Sequence, residues 1–155
     1  MHSHLLQIIS QFVMATGLLL ILLLLIIPVF KPSYGEYQNK NLQHVLEIND
    51  SKLSTQRMLF KRIRRLLDGH NAATKVEVVA VGNAVCMLEN GSQNQIEIQT
   101  LASEGVRFTA CQNSLHALEQ AIGHAVQIMT GVATVADGRI YAEQLRNDGY
   151  VDEIT

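Results

Sequence analysis

The chain of 155 residues has no tryptophan, only two cysteines and two prolines, and charged residues make up only 17% of it. Two cysteines are too few for a disulfide-stabilised mini-protein, and a hydrophobic fraction of 48% excludes a disordered chain. The sequence also lacks the glycine-rich phosphate-binding patterns and the G-x-S-x-G nucleophile motif. A chain of 155 residues is long enough for one ordinary domain.

Charged residues are missing altogether from Leu5 to Phe30, and Leu18–Ile27 is ten consecutive Leu or Ile. A helix of this length could cross the roughly 30 Å hydrocarbon layer of a bilayer. A cleaved signal peptide is the rival interpretation, but no Lys or Arg precedes the apolar core and no A-x-A-like site follows it. The sequence therefore predicts one uncleaved transmembrane anchor, residues 1–30, which contacts membrane lipid through residues 5–30.

The charges that are present divide unevenly along the chain. Residues 1–75 carry nine Lys or Arg and four Asp or Glu, whereas residues 76–155 carry three and ten. This layout fits a basic side near a membrane and does not fit a nucleic-acid partner. Because Lys31 and Lys40 follow the anchor and no basic residue precedes it, the positive-inside rule favours a single-pass protein whose domain is cytoplasmic rather than periplasmic.

Residues 31–41 contain proline, glycine, serine and asparagine and are interpreted as a linker, which leaves residues 42–155 as one α/β domain. Short apolar runs alternate there with helical patterns, which predicts a mainly parallel sheet. The predicted strands are Gln43–Ile48, Lys75–Gly82, Val106–Ala110, Ala125–Met129 and Tyr150–Ile154. The predicted helices are about 52–68, Asn83–Leu88, Gln95–Ser103, about 114–121 and Gly131–Arg146.

The segment Gly105–Leu115 reads GVRFTACQNSL. It resembles the strand-to-loop segment of the DsrE/DsrF-like sulfur-relay family, in which a G-V-x-F-x-x-C-x-N-[ST]-L pattern recurs. The stretch VEVVAVG upstream and Gly131-Val132-Ala133 downstream, followed by Leu145 and Gly149-Tyr150, also fit the layout of that family. The resemblance covers about residues 42–154.

The resemblance implies a three-layer α/β/α domain with a five-stranded parallel sheet, and association into homo- or hetero-oligomers, often trimers or hexamers. It also implies that a cysteine at the end of a strand, here Cys111, carries sulfane sulfur as a persulfide. The chain departs from the family pattern in its anchor and in the short region after Ser114, which lacks the basic residues that some relatives have near the cysteine.

Cys111 is also a candidate on physical grounds. It ends a predicted strand just before a helix, where amide groups and the helix dipole favour a thiolate. His116 is a candidate assisting base, and Gln112, Asn113 and Ser114 are candidate loop-support residues that also serve as turn and capping residues. The alternative for Cys111 is a small buried residue with no chemistry.

Cys86 lies among Val85, Met87 and Leu88, which indicates a packed core cysteine whose burial opposes ionisation; a resolving partner for Cys111 is the alternative. Both ionisation and access therefore favour Cys111 as the reactive thiol. The six histidines show no ligand spacing, so neither a metal nor a cofactor is expected.

Two functions remain open. The first is a membrane-anchored sulfur carrier or sulfurtransferase in a sulfur-relay or redox pathway, with a donor or acceptor protein as partner. The second is a non-catalytic accessory subunit of a membrane complex, in which the domain is an interaction module. The helix over 52–65 is strongly basic, and three interpretations of its outer face remain open. It is a solvated surface, a contact with anionic lipid, or a docking surface for an acidic partner.

Overall fold

The computed structural model describes residues 42–69 and 74–152. Their core is a five-stranded parallel sheet in the order β4-β3-β2-β1-β5. The strands are β1 (Gln43–Ile48), β2 (Lys75–Ala80), β3 (Arg107–Cys111), β4 (Ala133–Val135) and β5 (Val151–Asp152). The helices are α1 (Leu53–Gly69), a 3₁₀ helix (Gly82–Leu88), α2 (Gln95–Ser103), α3 (Gln112–Ile122) and α4 (Gly138–Asn147).

The sheet forms because β1, β2 and β3 are rich in β-branched and apolar residues that are buried on both faces. β1 pairs with β2 along its whole length, from Gln43 opposite Lys75 to Ile48 opposite Ala80. β2 pairs with β3 from Glu77 opposite Arg107 onward. The prediction of a parallel α/β sheet is confirmed.

Successive strand residues point to opposite faces of the sheet, and each face is covered by helices. On one face, Leu46 and Val78 pack with Leu59 of α1 and Leu101 of α2 in the larger core. On the other face, a smaller cluster joins the sheet to α4; it contains Val45, Val79, Val81, Cys111, Ala142 and Leu145. Helix, sheet and helix therefore form three layers.

The prediction of a strand over Ala125–Met129 is wrong. In this segment, Met129 is buried in the larger core, and Ile128 forms only an isolated antiparallel bridge with Glu89. The Met129 N–H donates to the carbonyl of Leu88 at 3.0 Å. The apolar run thus packs against the end of the 3₁₀ helix, and β4 follows it at Ala133–Val135.

The predicted helix over Gly131–Arg146 begins seven residues later than expected. The side chain of Asp137 accepts hydrogen bonds from the backbone N–H groups of Arg139 and Ile140, at 2.9 and 3.2 Å. This N-cap sets the start of α4 at Gly138. The residues before it are β-branched and small, and they form the edge strand β4 instead.

None of the helices within residues 42–69 and 74–152 is long and apolar enough to cross a membrane. The predicted anchor, residues 1–30, and the linker, residues 31–41, lie outside the described residues. The predicted strand Tyr150–Ile154 also extends beyond the described residues, from residue 153 on. Within it, Val151–Asp152 forms β5.

The first residue of α4 lies directly against the sheet. A Cβ atom added at Gly138 would lie 2.6 Å from Cγ1 of Val81 and 3.0 Å from Cβ of Cys111. Only glycine allows this approach, because Val81 and Cys111 are short, buried side chains that have little room to move.

We expect Gly138→Ala to lower the free energy of unfolding by about 1–3 kcal/mol, because it overpacks the interface between α4 and the sheet. Gly69→Ala is the matched control, since an added Cβ there meets nothing within 4 Å. That control should leave stability unchanged or raise it by up to about 1 kcal/mol. Chemical denaturation of both variants measures the difference, and equal stabilities would show that the close approach of α4 is not required.

Candidate functional site around Cys111

The carboxyl ends of β2, β3 and β4 meet at one edge of the sheet. β2 leads into the 3₁₀ helix through Gly82, whose φ of +52° is a left-handed conformation that favours glycine. β3 ends at Cys111, and α3 begins at the next residue. β4 leads into α4 through Ala136 and Asp137. Ligand sites of open α/β sheets occupy this edge.

Cys111 lies between the starts of two helices. It is the N-cap residue of α3, and its Cβ faces the first residue of α4. Cys111 is only 4% exposed and packs in the smaller core. Its Sγ lies 3.9 Å from the carbonyl oxygen of Ala136, to which a neutral thiol can donate weakly.

The surroundings of Cys111 lower its pKa overall. Burial is the largest single influence and raises the pKa. It is outweighed by the Ser114 hydroxyl and by the backbone amides of Gly138, Ser114 and Asn113, all of which lower the pKa. These amides lie at the starts of α3 and α4, where backbone N–H groups without an intrahelical partner and the helix dipole favour a negative charge.

Ser114 connects two strand ends. Its Oγ accepts a hydrogen bond from the backbone N–H of Gly82 at 2.8 Å, which ties the start of α3 to the end of β2. The same hydroxyl lowers the pKa of Cys111. With its oxygen bonded to Gly82, the hydroxyl keeps one proton to offer to the sulfur. Ser114 therefore both holds the start of α3 against the end of β2 and lowers the pKa of the thiol.

Gln112 and Asn113, which the sequence placed in a loop, lie in the first turn of α3. Gln112 Nε2 lies 3.4 Å from the Thr134 hydroxyl, and Asn113 Nδ2 lies 3.4 Å from the Asp137 carboxylate. The Asn113 N–H also donates to the carbonyl of Ala136 at 3.3 Å. These contacts join α3 to the chain between β4 and α4. His116 is exposed on α3 and is not among the groups that change the pKa of Cys111.

Cys86 lies in the 3₁₀ helix and is half-buried, between buried Val85 and Met87. Burial raises its pKa, and the nearby Glu89 carboxylate raises it further. The expected difference in ionisation thus has the predicted direction. The expectation that access also favours Cys111 is wrong, because Cys111 is the more buried of the two residues.

A cavity of about 290 Å³ opens beside the loop. Its lining includes no charged side chain and consists of Gly82, Asn83, Asn113, Ser114, Ala117, Leu118 and Ala121. Ser114 belongs both to this cavity and to the surroundings of the Cys111 sulfur. Among the residues that the structure describes, no group of three or more His, Cys, Asp or Glu side chains could hold a metal ion.

Sequence reasoning missed two groups near the thiol. The amide of Gly138 and the carbonyl of Ala136 come from the start of α4, which the sequence placed inside a longer helix. The Asp137-Gly138 pair, a capping residue before a small residue, was the available signal. It indicates where the helix starts but not that Gly138 reaches the sulfur, because that contact depends on the packing of α4 on the sheet.

A buried carboxylate also lies on the face of the sheet that carries Cys111. Glu77 of β2 is 1% exposed and accepts a hydrogen bond from the Thr109 hydroxyl. The same oxygen, Oε1, lies 3.5 Å from the Tyr141 hydroxyl of α4, and the other oxygen, Oε2, lies 3.3 Å from Nε of Arg107. These contacts hold β2, β3 and α4 together on the face of the sheet that carries Cys111.

Comparison with known proteins gives a fold and no activity. No protein-family model and no curated protein matches the chain. The chain is similar to the solved structure of a protein of unknown function, MTH1491, from Methanobacterium thermoautotrophicum. The two are 25% identical with a TM-score of 0.66, over 74% of this chain and 99% of that chain. The likeness agrees with the α/β architecture described above.

We expect alkylation of Cys111 to reach half of its maximal rate at a lower pH than alkylation of Cys86. The thiolate is the reacting species, so a lowered pKa moves the rate profile to lower pH and a raised pKa moves it to higher pH. Rates measured on the full chain with iodoacetamide, and resolved by peptide mass spectrometry, give both midpoints independently of access.

The variant Ser114→Ala should raise the midpoint of Cys111, because it removes the hydroxyl that lowers the pKa of the thiol. Ser103→Ala is the control: its hydroxyl donates to the carbonyl of Thr100 at the end of α2, and it should leave the midpoint in place. A Cys111 midpoint at or above that of Cys86 would contradict the assignment.

Proposed function

We propose that this protein carries sulfane sulfur as a persulfide on Cys111 and hands it to an acceptor thiol. The observation that carries the proposal is the placement of the Cys111 sulfur at the starts of two helices, where the Ser114 hydroxyl and three backbone amides outweigh the effect of burial and lower its pKa. A thiolate and a persulfide anion both need this kind of stabilisation. The resemblance of Gly105–Leu115 to the DsrE/DsrF-like family supports the same role.

The transfer needs no external oxidant or reductant. The Cys111 thiolate attacks the outer sulfur of a donor persulfide, R–S–SH; the new S–S bond forms as the R–S to sulfur bond breaks, and the donor leaves as a thiolate. An acceptor thiolate then attacks the outer sulfur on Cys111, which leaves as a thiolate in turn. Sulfur moves with its oxidation state conserved, so the protein is a carrier or sulfurtransferase.

The burial of Cys111 favours a second candidate. A residue that is 4% exposed is reached only if the surrounding loop moves or a partner opens it. In this alternative, the protein is a non-catalytic accessory subunit of a membrane complex, the domain is an interaction module, and Cys111 is a small residue in the packing of α4. The two candidates differ in whether the sulfur reacts in the folded protein.

We also propose that the protein is a single-pass membrane protein whose domain lies on the cytoplasmic side. The apolar stretch over residues 5–30 and the basic residues Lys31 and Lys40 that follow it support this arrangement. The sulfur donor and acceptor would then be proteins of the same compartment.

Loading of Cys111 decides between carrier and module. The full chain is treated with inorganic polysulfide and then alkylated, and peptide mass spectrometry measures the addition of one sulfur atom to each cysteine. We expect loading on Cys111 in the unmodified chain and none in Cys111→Ser. Cys86→Ser should still load, with a loss of about 1 kcal/mol of stability, because it places a hydroxyl among apolar neighbours.

Loading that persists at Cys86 in Cys111→Ser, or equal loading of both thiols in the unmodified chain, would reverse the assignment of the reactive residue. An unmodified Cys111 in the folded chain that becomes reactive only in denaturant would favour the interaction module.

Self-association is the remaining proposal. Within the described residues the sheet ends in two short edge strands, β4 with three residues and β5 with two, and Val151 of β5 is 43% exposed. Short open edges of this kind are often covered in an assembly. Light scattering of the detergent-solubilised full chain, corrected for bound detergent, should give a homo-oligomer, a trimer or a hexamer; a monomer would contradict the proposal.

A further inference from the structure

The outward face of α1 carries a row of cations. Arg57, Lys61 and Arg65 follow one another at intervals of four residues and are all exposed, and we call them the basic stripe. With about 3.6 residues per turn, they lie within roughly a quarter of the helix circumference. Met58 lies beside the stripe and is 63% exposed. Asp68 is the acidic residue on this face, so its net charge is positive.

The stripe differs from the other cations of α1 in having no partner of its own. Arg64 lies between the Glu104 carboxylate at 2.7 Å and the Glu97 carboxylate at 3.3 Å. Lys52, just before the helix, lies 3.4 Å from Asp50. Within residues 42–69 and 74–152 the structure gives Arg57, Lys61 and Arg65 no ion pair. Their charge is therefore available to a ligand.

The apolar face of α1 is already occupied. Leu59, Phe60 and Ile63 are buried in the larger core against the sheet. The helix thus cannot turn its apolar side into a bilayer, and whatever binds the stripe meets long cationic side chains around one flexible methionine. This chemistry suits a surface of phosphate groups with apolar chains behind them, in which arginine and lysine side chains bind headgroups and methionine enters the interface.

We propose that the basic stripe of α1 docks on the surface of an anionic lipid bilayer. The stripe lies on a convex helix and covers a line rather than a pocket, which matches an extended surface better than a single acidic group. Charge complementarity is supplied by anionic headgroups. This inference goes beyond the sulfur carrier and holds equally if the domain is an interaction module.

The length of the chain before β1 supports a lipid partner. The apolar stretch that the sequence assigns to a membrane ends at Phe30, and the twelve residues 31–42 join it to β1. Fully extended, they reach at most about 43 Å. A cation near an anionic leaflet strengthens binding by roughly fivefold, so three cations less the opposing charge of Asp68 give roughly 25-fold. That is too little to hold a free protein on a bilayer and enough to orient a tethered one.

The test measures how accessible Lys61 is at a lipid surface. The full chain is placed in nanodiscs of phosphatidylcholine alone or mixed with phosphatidylglycerol, and amine acetylation is followed residue by residue with mass spectrometry. We expect Lys61 to be acetylated about fivefold more slowly in the anionic nanodiscs, and this protection to disappear at high salt, which screens surface charge. Lys52, which lies before α1 and pairs with Asp50, should react equally in both.

Paired variants separate the stripe from net charge. Arg57→Gln with Arg65→Gln keeps Lys61 as the reporter and should abolish its protection. Lys75→Gln with Arg139→Gln removes the same charge from exposed residues elsewhere and should leave the protection intact. Equal acetylation of Lys61 in both nanodiscs would overturn the proposal. So would protection that arises only when an acidic protein or a nucleic acid is added.

Discussion

The close approach of α4 to the sheet is the constraint on which the rest of the site depends. Gly138 can lie against Val81 and Cys111 because it has no side chain, and Asp137 fixes the start of the helix at that point. The approach brings the Gly138 amide of α4 to the side chain of Cys111, which is the N-cap residue of α3. A Cβ at residue 138 would move the whole helix outward and, with it, both the amide and the carbonyl of Ala136 that borders the thiol.

The same packing has two opposite effects on Cys111. It supplies the dipoles that lower the pKa, and it buries the residue until only 4% is exposed. Ionisation and access are therefore coupled, since any movement of α4 that opens the sulfur also withdraws the Gly138 amide. A persulfide carrier with this arrangement would protect its loaded sulfur from solvent and release it only when the loop opens.

The sequence predicts best where local pattern and tertiary structure agree. The strands β1, β2 and β3 lie where their apolar runs indicate, because central parallel strands need apolar residues on both faces. The run Ala125–Met129 is also apolar, but it packs against the end of the 3₁₀ helix: Met129 is buried in the larger core, and Val126 and Ile128 are partly buried against it. Apolar composition predicts burial there and cannot distinguish a strand from a packed loop.

The residues of the candidate site also divide into those that local sequence indicates and those that only tertiary contacts place there. The place of Cys111 at a strand end, directly before a helix, is a local property that the sequence carries. The capping role expected of Gln112, Asn113 and Ser114 is wrong, because all three lie inside α3 and its N-cap residue is Cys111. The bond from Gly82 to Ser114 and the amide of Gly138 join residues far apart in sequence, and no pattern within either segment indicates them. Glu77 is another example: within VEVVA it resembles a solvent-facing strand residue, yet Thr109 and Arg107 on the neighbouring strand compensate its burial.

The two faces of the sheet separate the proposed chemistry from the proposed surface. α1 packs on the larger core, whereas Cys111 belongs to the smaller core under α4. A bilayer against the outward face of α1 would therefore lie on the side of the sheet away from α4, and the carboxyl edge that holds Cys111, Ser114 and the adjoining cavity would remain open to a partner. Arg64 is not part of this outward face, because it pairs with Glu97 of α2 and with Glu104, which follows α2. The proposed docking through α1 and the proposed transfer at Cys111 would thus use different surfaces of one molecule.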